Sequence, residues 1–323
     1  MIKTALVCGA GGFIGGHLVK RLKSEGFWVR GVDLKYHEFT QSVADEFLIA
    51  DLRDRQQVQK SLTLDAPDKK FDEVYQLAAD MGGAGYLFTG EHDVDIMYNS
   101  AQINLNFVAQ YSRYKQLFYS SSACVYQEEK QLTAYHLGLK EADVYPANPD
   151  SEYGWEKLFS ERMYLAMMRN TGVPVKIARL HNIYGPEGSW NGGKEKVPAA
   201  ICRKVAMALD DAKIEIWGDG KQTRSFLYID ECLEGIRRLM NSDFTGPVNI
   251  GSDEDISIND LALMVADIAG KKILLEHRDG PIGVIGRNSD NTLIREKLQW
   301  APNYSFKKGM EQTYGWIVQQ IDT

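Results

Sequence analysis

Short runs rich in β-branched and aromatic residues alternate with longer stretches in helical periodicity through the first half of the chain. Thr4–Cys8, Trp28–Asp33, Phe47–Ala50, Glu73–Leu77 and Leu117–Ser121 have the length and composition of strands. Phe13–Ser24, Asp54–Leu62, Val94–Tyr111 and Glu152–Met168 space their apolar positions as helices do. Strands alternating with helices build a parallel sheet covered on both faces, because each parallel crossover lays a helix over the sheet. Val175–Leu180 predicts one more strand. Beyond it the pattern changes: glycines cluster at 185–193, 218–220 and 280–286, and short mixed elements replace the alternation. The expected architecture is α/β, a Rossmann-type doubly wound parallel sheet over residues 1–180. A smaller mixed α/β substrate domain occupies 181–323, with some of its segments returning to the first domain.

The turn after the first strand reads Gly9-Ala-Gly-Gly12-Phe13-Ile14-Gly15 and opens the first helix. Gly9 permits a tight turn, Gly12 lets a pyrophosphate approach the helix N-terminus, and Gly15 lets helix and sheet pack closely. Asp33 ends the second strand, where a carboxylate accepts from ribose hydroxyls and repels a 2′-phosphate, so NAD is expected rather than NADP. Asp51 and Leu52 follow the third strand and are placed to flank an adenine. Leu77-Ala78-Ala79 follow the fourth and supply the small residues that a cofactor backbone needs.

Tyr153 and Lys157 are one helical turn apart and project from one face. A cationic amine beside a phenol favours the phenolate, and Ser122 would hold the same substrate oxygen. Ser122, Tyr153 and Lys157 are together the parts needed to move a hydride to or from a bound nicotinamide, a set that includes Tyr153 and Lys157 as cofactor contacts. Cys124 lies two residues beyond Ser122 on the same extended run and is expected to face the same side, so with Lys196 it adds a thiol and an amine. Such a pair suggests a second task, taking a proton from carbon on one face and returning it on the other. For anion clamps, Arg224 and Arg287 are candidates to grip a diphosphate, with Lys204 and Asn182 behind them.

The strings Leu77-Ala-Ala-Asp-Met-Gly-Gly83, Ser121-Ser-Ala-Cys124, Tyr153-Gly-Trp-Glu-Lys157, Gly192-Gly-Lys-Glu-Lys196, Trp217-Gly-Asp-Gly-Lys-Gln-Thr-Arg-Ser225 and Gly286-Arg-Asn-Ser-Asp-Asn291 make the chain resemble the extended short-chain dehydrogenase/reductases that modify nucleotide sugars. Within that branch it resembles the GDP-mannose 3,5-epimerase family. It departs from the plant-type pattern at Glu187, at Ile285 and at Val125–Gln127. The resemblance implies bound NAD, a GDP-hexose substrate, transient oxidation at C4, and proton exchange at C3 and C5. It implies catalytic roles for Cys124 and Lys196, and substrate contacts from Met81, Gly82, Gly83, Asn182, Glu195, Lys196, Lys204, Gln222, Arg224 and Arg287. It also implies a two-fold dimer packing the helices Val94–Tyr111 and Glu152–Met168 against their copies.

Four other readings share the scaffold. An epimerase–reductase like GDP-fucose synthase also has a Cys two after the Ser, but uses NADPH, which Asp33 disfavours. A 4,6-dehydratase needs carboxylates where Ala123 and Cys124 stand. A 4-epimerase needs only Ser122, Tyr153 and Lys157, and leaves Cys124 and Lys196 unexplained. A catalytically silent nucleotide sensor has no need of the whole Ser-Tyr-Lys set.

Composition narrows the partners. The 323 residues are 44% apolar and 25% charged with a net charge of −7, and no basic run suggests nucleic acid. The four cysteines, Cys8, Cys124, Cys202 and Cys232, form no CxxC pair, so neither a metal site nor a disulfide framework is expected, and a reducing, cytoplasmic setting is. The first residues do not read as a signal peptide, and no run approaches the roughly 18 apolar residues of a membrane span.

Overall fold

In the computed structural model, residues 2–66, 68–134 and 138–322 are described. In chain order the first part comprises β1 (Thr4–Cys8), α1 (Phe13–Ser24), β2 (Trp28–Asp33), β3 (Glu46–Ile49), α2 (Arg55–Ser61), β4 (Glu73–Gln76), α3 (Ala84–Leu87), α4 (Asp93–Ala109), β5 (Leu117–Ser122), α5 (Glu152–Thr171) and β6 (Val175–Leu180). The remainder adds β7 (Ile183–Tyr184), α6 (Val197–Met207), β8 (Ala212–Trp217), β9 (Thr223–Ser225), β10 (Leu227–Tyr228), α7 (Ile229–Met240), β11 (Val248–Ile250), β12 (Asp255–Ser257), α8 (Ile258–Ala269), β13 (Ile273–Arg278), β14 (Gly286–Arg287), α9 (Thr292–Leu298) and α10 (Phe306–Ile321).

Seven strands form one parallel sheet in the order β11-β6-β5-β4-β1-β2-β3. All five residues of β1 are buried, as expected of a central strand covered on both faces. Several helices start where a side chain satisfies a first-turn amide: Asp54 caps α2, Ser151 caps α5 and Ser257 caps α8. Gly172, in the left-handed region, ends α5.

Two features depart from the periodicity reading. The third strand sits one residue earlier than Phe47–Ala50, and the stretch after β4 contains a short helix, α3, where the pattern shows only glycines. β11, from the second half, pairs with β6 and completes the large sheet. The other strands build small sheets that carry the remaining loops: β13 with β8, β10 with β7, and β9 between β12 and β14.

The junction of β6 and β11 is polar and closed. Asn249 of β11 accepts from Tyr126 at 2.5 Å and lies 3.0 Å from Nε2 of His181, while its amide donates to Leu139 O at 2.7 Å. His181 is fully buried, and burial, with Arg287 and Arg179 nearby, lowers its pKa to about 3. In the unfolded chain an imidazole titrates near 6.5. Its folded value is depressed, so the stability it contributes is complete above about 6.5 and is lost as pH falls toward 3. Urea unfolding as a function of pH should show that decline, on the order of a few kcal/mol. His181→Asn should flatten the slope in that window, and an unchanged slope would assign the acid lability to other groups.

Candidate active site

The strand order reverses between β1 and β4, and a cleft of about 590 Å³ opens there at the carboxyl ends of the strands. Its floor is the turn into α1. Gly9 has φ +81°, and a side chain on Gly15 would place Cβ 2.0 Å from Gly9 O, so this close approach requires glycine at both positions. The helix begins at Gly12 with no side-chain cap and no acidic residue in its first turn, which leaves its N-terminal amides and the positive end of its dipole for an anion. Phe13 and Ile14 line the same wall.

Asp33 accepts from Gly11 N at 2.9 Å and faces the cleft, a fixed carboxylate suited to a ribose diol and opposed to a 2′-phosphate. Asp51 and Leu52 line the far end beside Arg53, which sequence reasoning missed. Arg53 pairs with Asp51 at 2.7 Å and, through that hydrogen bond, lowers the Asp51 pKa. Leu77, Ala78 and Ala79 form the opposite lip. The shape, the uncapped helix end and Asp33 fit a dinucleotide of the NAD type.

The reaction end lies where β5 and α5 meet. Ser122, Tyr153 and Lys157 all border the cleft. Lys157 is held by its Nζ, which donates to Ser120 O at 3.0 Å and lies 5.5 Å from the Tyr153 ring centre. Burial lowers the Lys157 pKa, while the nearby charge of Glu156 opposes the shift. Tyr153 differs from expectation. Burial, together with Cys124 and Glu156, holds its phenol well above the ordinary value, with a Ser122 hydrogen bond pulling the other way. The protein by itself therefore keeps Tyr153 protonated, because desolvation outweighs the Ser122 hydrogen bond.

Cys124 also arrives by a different route from the one expected. The extended run stops at Ser122, and Ala123–Val125 turn into a 3₁₀ segment whose first amides are satisfied by the Ser122 hydroxyl at 3.2 Å from Cys124 N. Strand alternation therefore does not aim the sulfur. It is buried beside Tyr153, and Arg287 donates to it at 3.1 Å. Its charge is also felt at Lys157 and at Lys196. Lys196 is the N-cap residue of α6 and lines the cleft, and burial lowers its pKa. An amine and a Ser-Tyr-Lys set thus line one cofactor-shaped cleft, and the Cys124 thiol lies buried against Tyr153 without itself lining it.

The expected substrate contacts divide into two groups. Met81, Gly82, Asn182 and Lys196 border the cleft. The others are engaged within the protein. Arg287 pairs with Asp150 at 2.5 Å and donates to Gln131 at 2.6 Å as well as to Cys124. Arg224 donates to the carbonyls of Thr223, Ile282 and Val284, and burial brings its pKa down to about 9. Lys204 donates to Glu215 O and Gln222 to Trp217 O. Glu195 accepts from Arg203 at 2.7 Å and from Gly193 N at 2.6 Å. Gly83 packs against the backbone of Glu195. Sequence reasoning also missed Asp150, which reads only as a helix-start residue; its role as the Arg287 counter-ion has no local signature.

A sheet with this strand order, a glycine turn under an uncapped helix, and a Ser-Tyr-Lys set at the cleft define a nucleotide-cofactor enzyme of the short-chain dehydrogenase/reductase class. The chain belongs to the NAD dependent epimerase/dehydratase family, whose model matches residues 5–251. It is 48% identical over 320 residues to the GDP-mannose 3,5-epimerase of Arabidopsis thaliana, spanning 98% of this chain and 82% of that protein. It is 47% identical, with the same coverage, to GDP-mannose 3,5-epimerase 1 of Oryza sativa subsp. indica. Among solved structures it resembles a UDP-glucose 4-epimerase of Thermotoga maritima with UDP-glucose, at TM-score 0.84 and 23% identity over 98% of this chain and 99% of that one.

The Arg287–Asp150 pair supports one prediction. Both side chains are almost completely buried. Arg287→Met leaves the Asp150 charge uncompensated and should destabilise the fold by about 3–5 kcal/mol. Adding Asp150→Asn should recover part of the loss. Denaturant unfolding of the single and double variants measures both effects, and a single variant as stable as the parent would mean that Asp150 finds another partner.

Proposed function

We propose that this chain is an NAD-dependent nucleotide-sugar epimerase of the GDP-mannose 3,5-epimerase type, converting GDP-D-mannose to GDP-L-galactose and able to release the 5-epimer, GDP-L-gulose. The observation that carries this reading is that Ser122, Tyr153, Lys157 and Lys196 line one cleft, with the Cys124 thiol buried against Tyr153. The relatives that are 47–48% identical over nearly the whole chain support the choice of substrate. The cofactor contacts are Gly9, Gly12, Phe13, Ile14, Gly15, Asp33, Asp51, Leu52 and Leu77–Ala79.

When bound, NAD supplies the oxidising equivalent, accepting hydride from the sugar C4 and returning it at the end. Ser122 holds the C4 hydroxyl, and Tyr153, after releasing its own proton to solvent, takes the hydroxyl proton and later gives it back. Lys157 orders the Tyr153 end of the site from Ser120 O. Once C4 is a ketone, the hydrogens at C3 and C5 lie α to a carbonyl and come within reach of a modest base. The Tyr153 and Ser122 hydroxyls then donate to the developing enolate oxygen. Cys124 removes the proton from one face and Lys196 delivers one to the other. A 4-epimerase would leave both without a task.

Deuterium separates these roles. With GDP-mannose in heavy water, Tyr153→Phe should lose all sugar chemistry by about 10²-fold or more, since no proton becomes acidic without C4 oxidation. Cys124→Ala should lose deuterium uptake at C3 and C5 while sugar oxidation persists. Lys196→Ala should exchange without inverting. Mass analysis and NMR of the recovered sugar read all three. Inversion by Cys124→Ala at the parent rate would leave the 4-epimerase as the better account.

Assembly as a homodimer belongs to the same reading. α4 and α5 pack together, yet Val94 and Tyr98 of α4 and Trp155 and Phe159 of α5 remain exposed. Two such faces make a four-helix interface about a two-fold axis. Sedimentation at micromolar concentration should give twice the chain mass, and Phe159→Glu should shift the protein toward monomer; a parent protein that sediments as a monomer would sink the dimer. The four buried free thiols suit a reducing, cytoplasmic compartment.

A further inference from the structure

Gly83 and Tyr86 stand in the segment between β4 and α4, across the cleft mouth from the loop that ends in Lys196. Two contacts join these segments. An added Cβ on Gly83 would lie 2.4 Å from Glu195 O, so the two backbones are packed against each other. One residue before Glu195, the Lys194 ammonium sits 4.0 Å from the centre of the Tyr86 ring. Tyr86 is itself fixed from two sides, and one of its partners is held in turn. It stacks on His92 with centroids 4.2 Å apart, its hydroxyl donates to Asp80 at 2.9 Å, and the other Asp80 oxygen accepts from Asn99 of α4 at 2.8 Å. Opposite this rigid face, the loop carries Gly192 and Gly193, both at positive φ with open space where a side chain would be. A chain with two such residues has little intrinsic preference for one path. The Glu195 carboxylate closes the loop on Gly193 N and ties it to Arg203, and the Gly83–Tyr86 face holds its other side.

We propose that Gly83 and Tyr86 are positioning residues for Lys196, forming a seat on which the 192–196 loop is latched through Lys194. This inference rests on the role of Lys196 proposed above and deepens it. Met81 and Gly82 face the cleft, whereas Gly83 and Tyr86 face the loop, so the segment after β4 serves the site from two sides. The amine that must deliver a proton to one face of the sugar is held by a neighbour two residues away. A small shift of the loop therefore removes the proton donor without disturbing Cys124, Tyr153 or Lys157.

Four variants of the full-length protein test the seat: Tyr86→Ala, Tyr86→Phe, Lys194→Met and Gly83→Ala. Gly83 has φ −77°, a conformation that alanine adopts freely, so the effect of Gly83→Ala comes from the clash with Glu195. Two readouts are needed. Backbone hydrogen exchange over residues 188–197, followed by mass spectrometry, reports the latch without any substrate. It should accelerate in Tyr86→Ala, Lys194→Met and Gly83→Ala and stay at the parent rate in Tyr86→Phe, which keeps the ring. Turnover of GDP-mannose in heavy water reports the consequence. Inversion should fall about two- to fivefold relative to deuterium uptake in the same three variants, the scale of an exposed cation–π contact. The Tyr86→Ala/Lys194→Met double variant should be no worse than either single one. Unchanged loop exchange in all variants overturns the seat. So does a loss in which inversion and uptake fall together, which would mark a disturbance of the oxidation step. A parent protein inactive on GDP-mannose would overturn the functional reading instead, and the exchange data would still decide whether the loop is latched.

Discussion

A buried guanidinium organises the reaction end of this protein. Arg287, on β14 near the C-terminal part of the chain, extends into a space enclosed by the turn after β5, the segment around Gln131 and the start of α5. There it donates to Cys124, Gln131 and Asp150 at once. Burial alone would lower its pKa, but the charges of Asp150 and Cys124 hold it above the ordinary value. The planar fork matters here, because Nε, Nη1 and Nη2 each aim at a different partner, whereas a lysine ammonium donates from a single atom. Through this one side chain the C-terminal segment orients the thiol and anchors the approach to the helix bearing Tyr153 and Lys157.

The same arrangement recurs one layer deeper. Arg179 of β6 pairs with Glu161 of α5 at 2.8 Å, both side chains almost fully buried, and Glu161 also accepts from Ser121, one residue before Ser122. Buried pairs of this kind add little net stability over an apolar core, but a misplaced partner is costly because it leaves a charge unpaired. Their value lies in restricting geometry. α5 and β5 cannot slide past each other without stranding a charge, so Ser122, Tyr153 and Lys157 keep their relative positions. The ordering of the active site and the burial of these charges are two aspects of one constraint.

The cofactor half and the substrate half are held differently. The cofactor cleft is built from backbone: a glycine turn, helix amides and the ends of parallel strands. The substrate half is built from side chains that bond to carbonyls and to one another, as with Arg224 on Ile282 and Val284 and Glu195 on Arg203. A site for a resident cofactor gains from rigidity. A site that must admit a sugar nucleotide and move protons on two faces needs segments such as the 192–196 loop, seated by contacts that can open.

Much of this was legible in the sequence because it depends on local pattern. Strand and helix periodicity, the Gly9–Gly15 turn, Asp33 at the end of β2, and the one-turn spacing of Tyr153 and Lys157 are short-range properties, and they determined the large sheet and the cleft floor. The pattern also carried Lys196 to notice, in its glycine loop, and Cys124, but the latter by an argument from strand alternation that fails where the chain turns into a 3₁₀ segment after Ser122. What the sequence could not express are contacts between residues far apart in the chain: Asp150 with Arg287, Glu161 with Arg179, Gly83 with the Glu195 carbonyl, and β11 beside β6. None of these has a periodicity or a neighbour that announces it. The tertiary structure alone decides whether burial leaves Tyr153 a phenol and gives Cys124 a guanidinium, because desolvation and charge depend on which atoms surround a group in space.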